Sequence, residues 1–420
     1  MDREISAVEI VTIGEELLNG STVDTNAAEI ARSLAPVGVR VVRKTTVGDS
    51  PQAIADAVSS ALERSGAVIT TGGLGPTRDD ATRAAVAGVF ERRLRFDENL
   101  WEELLQRWSP WGAIPDSNRV QAQVPEGARI LPNPRGTAAG LAIEDEERGI
   151  CVMLPGPPHE VAAMLRGSVV AFFSERTGGS LPRPLVRLLR TTGIAESAIA
   201  DRVKSALDDL SVEVAYLPRI DGVDLRLTAW SLGEAEAGVP LDEAESRLRD
   251  LLGAHIYASG ASDLAAVVGD LLRERGLILA VAESCTAGLL GQRITERAGA
   301  SDYFWGGMIV YEDAAKVELL GVQPETIAEH GAVSAAAAVE MARGARQRSG
   351  ADVAIAITGV AGPDGGTAEK PVGTVWLAVA SAERIEVKRR HYPGARDIVR
   401  ARAAQGAIDL LRRLLLALPS

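Results

Sequence analysis

Apolar, β-branched runs alternate with segments of helical period from the start of the chain. Val8–Ile13 reads as strand, Asn26–Ala35 as helix, Val39–Thr46 as strand, Pro51–Arg64 as helix and Ala67–Thr71 as strand. This order predicts a βαβαβ start and a mostly parallel sheet faced by helices. Helices over Ala81–Phe90 and Glu98–Arg107 follow, then short strands near Ala128–Leu131 and Ile150–Leu154, and a helix through His159–Phe172. The stretch from Gly178 to Pro184 has linker composition and closes an expected first domain at residues 1–178.

Beyond it the pattern changes. Strand Leu185–Thr191, helix Glu196–Leu207, strands Val212–Leu217 and Val223–Trp230, helix Leu241–Leu252 and strand His255–Ala258 make a compact βαββαβ unit over residues 184–259. From residue 262 to 420 the α/β alternation resumes. Helix Leu264–Arg275, strand Leu277–Ala282, helix Ala287–Ala298 and strand Gly307–Tyr311 come first. Helix Ser334–Arg348, strands Val353–Thr358, Thr374–Ala380 and Arg384–His391, and helix Ala395–Leu415 follow. No short-period repeat is present, which argues against a solenoid. The expected fold class is α/β in both large domains, with an α+β unit between them.

A length of 420 residues suits two or three domains. The formal charge of −12 disfavours general nucleic-acid binding, because such a field repels a phosphate backbone. Cys151 and Cys285 form no CxxC or zinc spacing, so a reducing cytoplasm is the expected setting. The chain passes directly from Glu4 into a strand-like run and has no apolar stretch of about 18 residues, so neither an export signal nor a membrane span is expected.

The first candidate site is Thr70–Thr82, where a strand ends and a helix begins. Its glycines allow close backbone approach to a ligand, and the helix start offers free N–H groups to phosphate oxygens. Adjacent Asp79 and Asp80 make sense beside a phosphate if a divalent cation bridges them to it; equally, one of them caps the helix and the glycines only form a turn. Gly14–Gly20 with Asp24-Thr25-Asn26, Pro132–Gly140 and Leu154–Glu160 are further loops at strand ends, where open α/β sheets bind ligands. His159 reads as a surface or capping residue.

The second candidate is Ala280–Leu290, a strand running through a polar turn into a helix whose N–H groups can stabilise an oxyanion. Ser284, Cys285 and Thr286 compete there as nucleophile. No histidine has a motif that marks it as a base, and a desolvated lysine can take that part. Lys316, in the first helical turn after Gly306–Ala315, is the leading candidate and Lys370 its rival, although N-capping and solvation explain Ser284 and Lys316 as well. The third is the Gly-rich stretch Ile357–Val375, too long for a hairpin, whose amides can wrap an anion while Thr358 donates a further hydrogen bond. Arg384, Lys388, Arg389, Arg390, Arg396, Arg400 and Arg402 form a basic cluster. Arg396 and Arg400, four apart on one helical face, can hold a mononucleotide phosphate or lie on a solvated face.

Ile10–Gly20, Asp24–Asn26, Gly72–Asp80 and Leu154–Pro158 resemble the molybdopterin-binding (MoaB/MogA-like) domain in the form carried by the CinA family. The resemblance implies an ADP-ribose pyrophosphatase that yields AMP and ribose 5-phosphate with a divalent metal, magnesium or similar. Asp79 and Asp80 are its expected catalytic carboxylates, and with Glu15 its candidate metal ligands. Gly72, Gly73, Gly75, Asn26, Asn133 and Gly136 are its expected substrate contacts. Residues 262–420 resemble the CinA C-terminal domain, a PncC-like nicotinamide mononucleotide amidohydrolase that needs no cofactor. Ala282–Gly288 follows the pattern Ala-Glu-Ser-Cys-Thr-Gly-Gly with Ala287 for the first glycine. Tyr311–Lys316 follows Tyr-Ser-Asn-x-x-Lys with Asp313 for the asparagine; His330–Ser334 and Gly359–Gly373 also match.

The resemblance makes Ser284 the nucleophile, Lys316 the base, and Tyr311 a neighbour that places Lys316. Thr286, Thr358, Gly359, Gly362, Gly365, Arg396 and Arg400 are the expected substrate contacts. Two departures bear on activity: Ala287 makes the turn less permissive, and a carboxylate at Asp313, if close, impairs Lys316 as a base. The middle unit is similar to the KH-like domain of CinA but lacks the Gly-x-x-Gly clamp of RNA-binding KH domains, so it reads as a spacer. The expected partners are small nucleotides, nicotinamide mononucleotide and ADP-ribose, and a second copy of the chain in a homo-oligomer, a dimer in the simplest case, with no membrane and no nucleic acid. The rival readings are a pterin-binding or regulatory adaptor in DNA uptake and recombination with inactive sites, and nucleotidyl transfer to molybdopterin by the first domain.

Overall fold

The computed structural model describes residues 5–178 and 181–418. The chain forms two compact units, one of residues 1–185 with 230–237, the other of residues 186–229 with 238–420.

The first unit is built on a six-stranded sheet. Its strands in spatial order are Arg40–Val47, Ala7–Ile13, Ala67–Thr71, Gly149–Leu154, Gly140–Asp145 and Arg129–Leu131. The first four run parallel, as the alternation of strand and helix predicts; Gly140–Asp145 runs antiparallel to them, and Arg129–Leu131 pairs antiparallel with it in turn. Gly140–Asp145 was not expected as a strand; its Gly-Leu-Ala-Ile start is short and ends in the polar hairpin to Gly149. Both faces are covered. Ile10, Ile69 and Val152 pack with Ile30 and Leu34 on one side, while Val11, Val68 and Met153 pack with Ile54, Val58 and Val86 on the other. The helix expected through His159–Phe172 runs from Pro158 to Thr177 and passes through a π-helical turn at Leu165–Val169.

The four-stranded sheet of the middle region has the order Glu213–Pro218, Val223–Ser231, Arg183–Thr191, Ile256–Ser259. Its second helix, Glu234–Leu252, begins seven residues before the expected start, ahead of Pro240.

The last sheet has the order Phe304–Ile309, Leu279–Glu283, Val353–Gly359, Thr374–Ala380, Ile385–His391; the first three strands are parallel, and Thr374–Ala380 pairs antiparallel with both of its neighbours. The strand sequence Val353-Ala354-Ile355-Ala356-Ile357 explains its two layers. Val353, Ile355 and Ile357 face the long final helix Arg396–Ala417 through Val399, Ala403, Ala407 and Leu411. Ala354 and Ala356 face Ala338, Met341 and Ala345 of helix Ala335–Ser349. Small residues bring that helix close: a Cβ on Gly344 would stand 1.8 Å from the Leu320 carbonyl oxygen. Beyond the helical turn expected at Lys316, helices Asp313–Leu320 and Pro324–His330 were not expected from the sequence, because few apolar positions mark their short periods.

Candidate active sites

In the first unit, the loops after Ile13, Thr71 and Leu154 meet at the carboxyl ends of parallel strands and enclose a cleft of about 380 Å³. Backbone hydrogen bonds set the Gly72–Gly75 conformation. The Gly72 carbonyl accepts from Thr82 Oγ1 (2.9 Å), the Gly73 carbonyl from Thr82 N (3.2 Å), and the Leu74 carbonyl from Arg83 Nη2. In a trans peptide the N–H points opposite to the carbonyl, so the Gly73, Leu74 and Gly75 N–H groups turn the other way. All three residues line the cleft, and consecutive N–H groups so arranged make the kind of nest that can bind an anion. Gly72 must be glycine: its φ is +108°, and a Cβ would lie 2.2 Å from the Ile13 carbonyl oxygen.

The cleft is acidic. Glu16, Asp49, Asp79, Asp80 and Glu160 line it, and no lysine or arginine does among the described residues. Thr77 holds the second of the adjacent aspartates: its N and Oγ1 donate to Asp80 Oδ2 at 2.8 and 2.5 Å. Neither aspartate caps the following helix, whose N-cap Ala81 receives no side-chain hydrogen bond. Glu15 faces away from the lining, with its carboxylate against Gly48; Glu16 and Asp49, which sequence reasoning did not assign, take its place. Asp49 was legible in principle, two residues beyond a parallel strand on the same sheet edge. Among the described residues no three acidic, His or Cys side chains form a preassembled metal centre. All-oxygen donors nonetheless suit magnesium, which is commonly held by one or two carboxylates together with substrate phosphates and water.

Three expected contacts are committed inside the protein. Asn26 Nδ2 donates to Thr71 Oγ1 (3.0 Å) and the Gly156 carbonyl (2.7 Å), tying two loops together. Asn133 Nδ2 donates to Ala138 O (2.9 Å) and Glu160 Oε2 (2.7 Å), and Asn133 Oδ1 accepts from Arg135 N. Gly136 gives room to the Glu160 carboxylate, which a Cβ would meet at 2.2 Å. His159 is exposed and does not line the cleft.

In the second unit, Ser284 follows the Leu279–Glu283 strand, and its N–H donates to the Ile357 carbonyl (3.0 Å). The expected free helix N–H groups are not free. The buried Glu283 carboxylate accepts from Gly288 N (3.0 Å), Leu290 N (3.0 Å) and Gly291 N (2.8 Å), neutralising the start of helix Leu289–Thr295. The helix therefore starts two residues later than its periodicity suggests, after a turn in which Ala287 and Gly288 have φ of +48° and +94°. Ala287 N donates to Ser284 O, the Cys285 N–H stands against its own thiol, and the Thr286 N–H has no backbone acceptor among the described residues. Of the three candidate nucleophiles, Cys285 is disfavoured: burial pushes its thiol up to about 11, so it stays protonated at neutral pH. Ser284 is buried, and the fully buried Thr286 hydroxyl has no hydrogen-bond partner among the described residues.

Lys316 lies on helix Asp313–Leu320, beyond the neighbouring parallel strand, and is 2% exposed. Its Nζ donates to the Tyr311 carbonyl (3.1 Å) and to Asp313 Oδ1 (3.0 Å), so the departure at Asp313 is realised as an ion pair. No hydrogen bond joins Lys316 Nζ to Ser284 among the described residues. Lys370, the rival base, donates to the His330 carbonyl at 2.7 Å. Arg396 and Arg400, at the start of the final helix, reach into the same region. Arg396 donates to Gly362 O (2.7 Å) and to the Tyr311 hydroxyl (2.9 Å), and Arg400 to Thr286 O (2.7 Å). Thr358 Oγ1 donates to Ala332 O (2.8 Å), so it anchors the neighbouring loop. Gly359 packs against the Thr374–Val375 backbone, and Gly365 is exposed. Glu283 was visible in the sequence beside Ser284, but only the folded turn reveals what it binds.

These features define a protein with two α/β sheets, each with its loops gathered at strand carboxyl ends, and a four-stranded α+β segment that lies between them in the sequence. Family comparison agrees. Residues 9–174 match the family described as Probable molybdopterin binding domain, residues 186–258 the Damage-inducible protein CinA KH domain, and residues 261–415 the CinA C-terminal domain. A CinA-like protein of Gemmatimonas aurantiaca is 50% identical over 97% of this chain and 96% of its own length. One from Salinibacter ruber is 41% identical over 97% and 99%. A solved competence/damage inducible protein from Agrobacterium tumefaciens is 40% identical, covering 36% of this chain and 93% of its own, with a TM-score of 0.36. The chain belongs to the CinA family. No helix among the described residues is long and apolar enough to cross a membrane.

Proposed function

We propose that this chain is a bifunctional nucleotide hydrolase, deamidating nicotinamide mononucleotide in its C-terminal domain and cleaving ADP-ribose in its N-terminal domain. The observation that carries the first activity is the convergence of Arg396 and Arg400 with Tyr311, Gly362 and the Ser284–Gly288 turn. A mononucleotide bound there offers its phosphate to the guanidinium groups and its carboxamide to the turn. Ser284 Oγ attacks the carboxamide carbon while Lys316 accepts the hydroxyl proton, which requires the Asp313 pair to open. The Cys285 and Thr286 N–H groups receive the oxyanion. Collapse breaks the C–N bond, the proton leaves with ammonia, and water then cleaves the Ser284 ester to give nicotinate mononucleotide.

The N-terminal reading rests on an N–H nest opposite a carboxylate-lined wall. The nest suits one part of a diphosphate, but the carboxylates would repel it without a cation. Asp79 and Asp80, with Glu16 or Asp49, would hold magnesium, whose contribution is to neutralise the diphosphate charge.

The test measures ammonia from nicotinamide mononucleotide and AMP from ADP-ribose with the full-length protein. Ser284→Ala should abolish ammonia release and leave AMP formation unchanged. Asp79→Asn and Asp80→Asn should each lower AMP formation, which chelator should stop. Ammonia release surviving Ser284→Ala refutes the nucleophile, and chelator-resistant AMP formation refutes the metal. Neither product under any condition would favour a ligand-binding adaptor.

A further inference from the structure

Arg83 lies in the first turn of helix Thr82–Val89, directly after the residue that pins the Gly72 and Gly73 carbonyls, and is 2% exposed. Long cationic side chains are almost never buried this deeply without a carboxylate partner. Arg83 forms no ion pair among the described residues. Its acceptors are two loop carbonyls: Nη2 donates to Leu74 O, and Nη1 approaches Gly75 O at 3.5 Å, while Nε has no partner among the described residues. Burial lowers its pKa to about 10, a sign of how unfavourable this charge is where it stands, and Asp80 offsets this only through space.

Such a cost needs a compensating role, and the position supplies one. Holding the Leu74 carbonyl from behind turns the Gly75 N–H toward the cleft. Thr82 does the same for the Gly73 and Leu74 N–H groups. The guanidinium also places a fixed positive charge beneath the loop of a cleft whose lining carries five carboxylates and no cation. Poorly screened in the interior, that charge acts on a ligand at the loop more strongly than a surface arginine would.

We propose that Arg83 is a positioning residue for anion recognition: from beneath the Gly72–Gly75 loop it fixes the N–H nest and supplies the positive potential by which a phosphate or diphosphate group enters an otherwise acidic cleft. The ligand class rests on the nest and not on turnover, so the role can be tested apart from the hydrolase reading.

The experiment measures the affinity of the full-length protein for inorganic pyrophosphate by calorimetry, with magnesium present and well below the unfolding temperature, for wild type, Arg83→Met and Arg83→Lys. Wild type should bind. Arg83→Met should bind at least about tenfold more weakly, and Arg83→Lys, which keeps the charge but loses the fork, should fall between them. The far-ultraviolet circular dichroism of both variants at the assay temperature should match wild type, as a control for folding. A residue that only stabilises the fold would lower the unfolding temperature and leave pyrophosphate affinity unchanged, and that result overturns the proposal, as does a wild type that binds no pyrophosphate. Should Arg83→Met fail to fold, an Arg83→Lys variant with wild-type affinity overturns it equally. ADP-ribose turnover by wild type, assayed separately, reports on the hydrolase reading alone.

Discussion

Replacing Glu283 by glutamine changes one oxygen for an NH2 group at a buried site, and the hydrogen bonds set the cost. Glu283 is 1% exposed; one of its oxygens accepts from Gly288 and Leu290, the other from Gly291. A glutamine oxygen in the first position keeps two of these bonds and turns its NH2 toward the Gly291 N–H. Leaving that buried donor unsatisfied costs about 1–3 kcal/mol. The two retained bonds lose their ionic character, and with it roughly half their strength. The sum is a destabilisation of about 2–4 kcal/mol for the unit that contains Ser284. For a unit of this size that corresponds to roughly 5–15 °C in unfolding temperature. Hydrogen exchange followed by mass spectrometry, at a temperature where both proteins are folded, should show the Gly288–Gly291 amides exchanging faster in Glu283→Gln, with distant strands unaffected. Ammonia release should fall by more than the folded fraction falls, because the same bonds hold the turn that presents Ser284. An unfolding temperature within about 2 °C of wild type and unchanged exchange at Gly291, on the same scale, would refute this account of the turn.

Three further outcomes follow from the same site. Ala287→Gly should stabilise the protein by about 0.5–1 kcal/mol, since it removes the left-handed strain of a Cβ at φ +48° and costs only part of that gain in chain entropy; a lower denaturation midpoint would contradict it. Asp313→Asn should leave ammonia release at neutral pH unchanged or raise it, by freeing Lys316 Nζ from its 3.0 Å partner; a tenfold loss would mean that the carboxylate places the lysine. Cys285 should resist alkylation at pH 8 in the folded protein. Because burial raises its thiol to about 11, its contribution to stability is intact below the unfolded value near 9 and declines as pH rises through about 11, and Cys285→Ala should flatten that decline in alkaline unfolding curves.

Much of the architecture could be read from one dimension. The Val353–Ile357 alternation marks a strand buried on both faces, and the Asn26, Pro51 and Ala67 boundaries coincide with element starts. The local pattern suffices there because apolar spacing at period 2 or 3.6 leaves few alternatives. It fails at the antiparallel strand Gly140–Asp145 and at helices Asp313–Leu320 and Pro324–His330, which are too short for a period to show. The sites divide in the same way. Gly72–Asp80 and Ala282–Gly288 are recognisable as loops at strand ends, but Asn26, Asn133 and Thr358, plausible as ligand contacts, spend their polar atoms on other loops.

By itself, the sequence determined that two α/β domains flank a small α+β unit, that strand-end loops carry the polar residues, and which motifs those loops contain. It did so because side-chain periodicity and glycine punctuation are local properties. The folded chain alone decided which groups remain free. Glu283 takes the helix N–H groups beside Ser284, Asp313 closes on Lys316, Glu16 and Asp49 replace Glu15 at the cleft, and Arg83 comes to lie beneath the glycine loop. Each of these depends on a hydrogen-bond or ionic partner whose orientation is set by packing, and residue type and spacing do not encode that orientation.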